Sequence, residues 1–179
     1  MKSHTDFDIP WCQKLLQSDI SAMEVPARGV GTAGDSDISN SMFKQTLYTS
    51  DAIRAQVNFK RLTAEADAIV PWEQCFIISI GSGLDGKTGR AHGGFNAMIL
   101  DQITGSVAAE VSGTGAPATA TMTVDYKAAI ETPGVILCRG WAVERQGRKT
   151  WVKARAEDGQ GKVLATAKAL FIDPRPLKI

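Results

Sequence analysis

At 179 residues the chain has the length of one ordinary domain with a sizeable core, which leaves little room for two. Charged residues are 22% of it and sum to a formal charge of +1, so there is no electrostatic case for nucleic acid or an anionic membrane as partner. Small anionic ligands stay open, because local charge need not follow the total.

The start, MKSHTDFDIPWC, carries no continuous apolar segment for secretion, and no later stretch is long and apolar enough to span a bilayer. The expectation is a soluble cytoplasmic protein without stable membrane insertion, with an organellar address still open. Residues 1–50 read as an arm in which PWCQKLL forms a short helix ahead of the turn-rich PARGVGTAGDSDISNS. Trp11, Leu15 and Leu16 are placed to pack on the main body, while Arg28 and the glycines from Gly29 to Gly34 suit a cover, a subunit contact or a plain surface extension.

Residues 51–179 read as one domain. SDAIRAQVNFKRL fits a helix or an extended edge, and QCFIISIG favours a strand through its aromatic and β-branched residues. SGLDGKTGR is dense in turn signals and delivers the chain to GRAHGGFNAMILDQITG. At a period of 3.6, Phe95, Ile99, Ile103 and Val107 form an apolar helical stripe, with Asp101 nearly opposite beside Ala97 and Gly105. After the break VSGTGAPA, the segments ATMTVDY, VILCRGWAVE, TWVKARAED and KVLATAKALFI read as strands. The short breaks AIETPG, RQGR and EDGQG fit an antiparallel meander. The expectation is an α+β domain whose sheet packs around one long helix.

Alternation puts Thr119, Thr121, Thr123 and Asp125 on one face of their strand and Ala120, Met122, Val124 and Tyr126 on the other. In the last strand Val163, Ala165, Ala167, Ala169 and Phe171 make a stripe of mostly small residues that admits the helix closely.

Burying an unpaired carboxylate on such a helix would be costly. Asp101 is therefore either a polar residue at an exposed gap or in a structural network, or a general base, less readily a nucleophile. Gly93 and Gly94 permit a tight turn into the helix and a close approach to its first N–H groups, which lack internal acceptors. That geometry suits an oxyanion hole, a simple cap or a phosphate site. His92 suits capping the turn or touching a ligand. No metal is expected: His4 is the other histidine, and Cys12, Cys75 and Cys138 are far apart without Cys-x-x-Cys spacing, which also favours a reducing compartment. GSGLDGKTG is neither a dinucleotide fingerprint nor a P-loop.

The combination RAHGGFNAMILDQITG and TATMTVDYKAAIETPGVILCRGWAVERQGRK resembles the hotdog-fold acyl-CoA thioesterases, in the branch of the phenylacetate-pathway enzymes and thioesterase superfamily member 4. The likeness is strongest from Cys75 to Ile172. It implies a hotdog fold, a homodimer or dimer of dimers with sites at the interface, and hydrolysis of an acyl thioester without any cofactor beyond the coenzyme A of substrate or product. It also implies roles: Gly93 or Gly94 N–H polarising the thioester carbonyl beside His92, Asp101 activating water, Thr119 holding that water or the acid. Arg145, Arg148 and Lys149 fall where relatives meet the nucleotide and phosphates of coenzyme A. A carrier-bound polyketide or fatty acyl substrate, released or cyclised, and a noncatalytic acyl-CoA or lipid binder are the alternatives.

Overall fold

A computed structural model describes residues 4–17 and 41–175. Six strands form one antiparallel sheet in the spatial order β1-β2-β6-β7-β8-β5. They are β1 (Ile53–Leu62), β2 (Trp72–Ile80), β5 (Ala118–Tyr126), β6 (Gly134–Gln146), β7 (Lys149–Glu157) and β8 (Val163–Ile172). Between β2 and β5 lie two short paired strands, β3 (Asp85–Lys87) and β4 (Arg90–Ala91), and the helix α2 (Gly93–Ser112). The sheet curls around α2, which gives the hotdog fold.

The helical period drives that burial: Phe95, Ile99, Ile103 and Val107 all face the sheet at 5% exposure or less. Gly140 on β6 is what lets α2 come so close, because a Cβ there would stand 3.3 Å from both Ile103 Cγ1 and Val107 Cγ2. Ala165, Ala167 and Ala169 on β8 are buried, as the small-residue stripe requires. The helix ends at Gly113, whose φ of 70° is the left-handed conformation glycine adopts without steric cost.

SDAIRAQVNFKRL is extended, the second of its two expected forms: it is β1, an edge strand, so two long strands precede the helix. The meander holds only for β6, β7 and β8. β5 does not pair with β6 but lies at the opposite edge against β8. AIETPG is therefore a crossing segment and no hairpin turn. Its Ile130 is buried and accepts from Ala91 N–H, while Thr132 N–H reaches Gly89 O, so the crossing passes beneath the start of α2 and fastens it.

The N-terminal helix α1 (Pro10–Gln17) lies on the sheet face away from α2. Trp11, Leu15 and Leu16 pack there around Phe7, Cys12, Phe59, Cys75, Ile77 and Leu137. Residues 4–17 are thus on the opposite side of the sheet from Asp101, whereas Phe43, Leu47 and Tyr48, at the end of the arm, pack into the core on the α2 side. Arg28 and Gly29 to Gly34 lie outside the described residues. Beside this apolar patch Arg139 binds Glu73, Glu65 and Glu157, and Arg61 binds Glu73. Burial pushes the Glu73 carboxyl up, but the hydrogen bonds from Arg139 and Arg61 outweigh it and hold the group below the usual carboxylate range.

Candidate active site at the start of the central helix

β4 leads into His92, which is the N-cap of α2. Its backbone N–H donates to Leu84 O at 2.8 Å, and its carbonyl accepts from Asn96 N–H at 3.2 Å. Its Nδ1 accepts from Gly94 N–H at 2.9 Å. A helix start has early N–H groups without partners, and an acceptor at the N-cap takes one of them. The consequence corrects a simple reading of the glycine pair. Gly94 N–H is engaged by the histidine, and the N–H groups of Gly93 and Phe95 are the early donors that the cap does not take.

Gly93 meets a residue that sequence reasoning did not single out. Tyr126, at the far end of β5, donates its hydroxyl to Gly93 O at 3.0 Å, and a Cβ on Gly93 would lie 3.6 Å from the ring. The tyrosine is 55% exposed. The available signal was the alternation Met122, Val124, Tyr126, which put an aromatic at the end of the helix-facing stripe.

Asp101 lies two turns further along α2, half-buried, and accepts from Thr119 Oγ1 at 2.9 Å. No cation forms a salt bridge with Asp101 among the described residues. Plain alternation would put Thr119 with Thr121 and Thr123, yet the structure separates them. Thr119 pairs with Phe171 and Thr121 with Leu170, which leaves Ala120 as an extra residue in β5. Such a bulge re-aims the side chains on one side of it. Phe171 is core-facing, and Thr119 shares that face; Thr121, Thr123 and Asp125 look away from α2. The expected single polar face is thus broken at Ala120, and only Thr119 of the three threonines meets the acid.

The cationic turn is a two-residue hairpin between Gln146 and Lys149, with Gly147 at φ 57°. Arg145 donates to Thr150 Oγ1 at 2.8 Å and to Asp173 Oδ2 at 2.9 Å, and Arg148 Nε donates to Asp173 O at 3.0 Å. Lys149 is exposed. Lys149 pairs with Ile172, which pairs with Ala118. Two strand spacings, ~10 Å, therefore separate this turn from the residue that precedes Thr119.

Trp141 and Trp151 are on the outer face of the sheet, where Trp141 Nε1 donates to Asp67 and Lys168 stacks over Trp151. Met98 and Met122 pack, partly buried, against the main core on the α2 side. The thiols are buried, and burial pushes Cys12 and Cys138 up to about 12. Among the described residues no group of three or more histidine, cysteine, aspartate or glutamate side chains is arranged to hold a metal ion. No described helix is long and apolar enough to cross a membrane.

Residues 88–165, from the approach to His92 to the third residue of β8, match the thioesterase superfamily model. No curated protein sequence matches the chain. Among solved structures the fold is similar to protein RHA08564, a thioesterase superfamily protein, with 24% identity and a TM-score of 0.51 over 56% of this chain. That match takes in 49% of RHA08564, so this chain spans about half its length. It is also similar to smu.793 from Streptococcus mutans UA159 bound to acetyl CoA, with 19% identity and a TM-score of 0.53, covering 59% of this chain and 84% of that one. A hypothetical thioesterase protein with coenzyme A from Streptococcus pneumoniae TIGR4 has 18% identity and a TM-score of 0.52, covering 63% and 86%. The fold is the hotdog fold that these solved structures share.

Proposed function

We propose, from the superfamily match over residues 88–165 and the geometry around α2, that the protein hydrolyses an acyl thioester, acyl-CoA first among them, to the free acid and thiol. One observation carries the reading: a half-exposed carboxylate, Asp101, without a cationic partner among the described residues and held by Thr119 at 2.9 Å. Asp101 takes a proton from water as the water oxygen adds to the thioester carbonyl carbon. Negative charge gathers on the carbonyl oxygen, where donors at the start of α2 stabilise it. The carbon–sulfur bond then breaks, and the thiolate leaves with the proton that Asp101 holds. Thr119 keeps the carboxylate aimed.

Coenzyme A is the favoured carrier because two of the similar structures hold acetyl CoA or coenzyme A. Arg145, Arg148 and Lys149 supply cations at the Thr119 end of the sheet, and Asp173 fixes the two arginines in place for phosphate oxygens.

A homodimer belongs to this reading. β5 has a partner on one side only and is exposed along most of its length, an unprotected edge that a second β5 would cover. Asp101 also lies seven positions beyond Gly94 on the helix, ~10 Å along the axis, which is long for one carbonyl and one water to bridge. Two copies side by side let the helix start of one face the acid of the other.

The test is thiol release from a panel of acyl-CoAs and acyl-carrier proteins, with D101N beside the parent and sedimentation to read the assembly. Removing the base lowers kcat by about 10²–10⁴-fold on the accepted substrates with the fold retained. Equal release by parent and variant across the panel overturns the hydrolytic reading, and tight binding without turnover replaces it with a binding role.

A further inference from the structure

His92 is exposed, yet its ring has little freedom, and the residue that restrains it most lies outside the helix. Gly86, in the middle of β3, runs directly against it. A Cβ at Gly86 would lie 2.9 Å from His92 Cα, 3.0 Å from Cδ2 and 3.2 Å from Cβ. On the other edge, a Cβ at Gly94 would lie 2.9 Å from Nδ1 and 3.3 Å from Cε1. Both edges of the imidazole therefore need a glycine neighbour. The β3 backbone cannot yield to relieve this. Leu84 O is bonded to His92 N–H, Asp85 pairs with Ala91 and accepts from Gly89 N–H, and Thr132 Oγ1 donates to Asp85 as well.

The hydrogen bond at Nδ1 then decides the ring's chemistry. Nδ1 accepts from Gly94 N–H, so the neutral imidazole carries its proton on Nε2, the one ring corner that neither glycine covers. The cap thereby trades a backbone donor for a side-chain donor: Gly94 N–H is consumed and the ring proton is left on Nε2.

We propose that Gly86 is a positioning residue that, with Gly94, clamps His92 as the Nε2–H tautomer facing the reacting carbonyl, so that the oxyanion donors are Gly93 N–H and His92 Nε2–H. This rests on the thioesterase reading for its chemistry, but the clamp itself is readable without turnover. In histidine-¹⁵N-labelled protein with neutral imidazoles, long-range ¹H–¹⁵N spectra report which nitrogen is protonated. H92N identifies the His92 signals against those of His4, whose Nδ1 also accepts a backbone N–H. The expected result is a single Nε2–H tautomer for His92 in the parent, and in G86A signals shifted toward the average of two tautomers. With substrate, G86A lowers kcat about tenfold and leaves KM within about threefold, less than the loss of a whole oxyanion donor.

H92N separates capping from donation and stands in should G86A fail to fold. Its side-chain oxygen still caps Gly94 N–H, an N-cap role asparagine fills well, but it has no outward ring N–H. It keeps the parent's melting temperature and loses about 10²–10³-fold in kcat. An Nδ1–H tautomer in the parent overturns the clamp, and parental kcat in H92N overturns the donor. A protein that shows the tautomer but hydrolyses no thioester sinks the functional reading and leaves the clamp standing.

Discussion

Replacing Thr119 with valine removes one hydroxyl at nearly constant volume and leaves Asp101 without its side-chain donor. A hydrogen bond to a charged acceptor is worth a net ~1.5–3 kcal/mol, and because Asp101 is half-exposed, water replaces part of it. The lower end, ~1.5 kcal/mol, corresponds to about a tenfold fall in kcat if the bond matters in the transition state. The assay is steady-state thiol release on the best acyl-CoA substrate, with melting temperatures run in parallel. T119S, which keeps the hydroxyl, stays within about threefold of the parent, and T121V and T123V stay within about twofold because the bulge at Ala120 turns them away from α2. The reasoning fails if T119V retains parental kcat, or if T121V falls as far as T119V, since either result means that the bulge does not select the working threonine.

Two stability predictions accompany it. E73Q leaves Arg139 and Arg61 facing a neutral amide at a site with 1% exposure, and costs ~3 kcal/mol, or about 6–12 °C in melting temperature. The folded-state pKa of Glu73 is lowered, so its contribution is present above the unfolded carboxylate range and is lost as pH falls through the lower folded value. Calorimetry should therefore show the gap between parent and E73Q closing on acidification, and a gap of constant size would contradict this account. G140A adds a methyl group 3.3 Å from Ile103 and Val107 and should cost ~1–3 kcal/mol through overpacking; a higher melting temperature would show that α2 has room to retreat.

Regular periodicity made most of the elements visible in the sequence. The 3.6-residue stripe of Phe95, Ile99, Ile103 and Val107 set out the buried side of α2, and alternation in 163–171 identified the face of β8 that receives it. What stayed hidden was every departure from period. The bulge at Ala120 inserts one residue into β5, and no local residue preference announces it, so Thr119 could be placed beside Thr121 but not told apart from it. The crossing from β5 to β6 resembles a turn in composition, because AIETPG looks the same whether the next strand is adjacent or three positions away. The fate of Gly94 N–H depended on a side-chain rotamer of His92, which spacing does not encode. Gly86 sat in a glycine-rich stretch whose members look alike until the backbone of β3 is laid against His92.

The placement of α1 also limits how copies of this protein can stack. The outward surface of β1, β2 and β6 is roofed by Phe7, Ile9, Trp11 and Leu15 from the same chain, and Trp11 lies flat against Gly159 in the turn between β7 and β8, where any side chain would collide with its ring. A layer laid against the back of the sheet would have to settle on β7, β8 and β5, where Lys153, Lys168, Thr123 and Asp125 face outward. Residues 5–17 thus work as a built-in spacer, and trimming them would uncover an oily plane that promotes indiscriminate association.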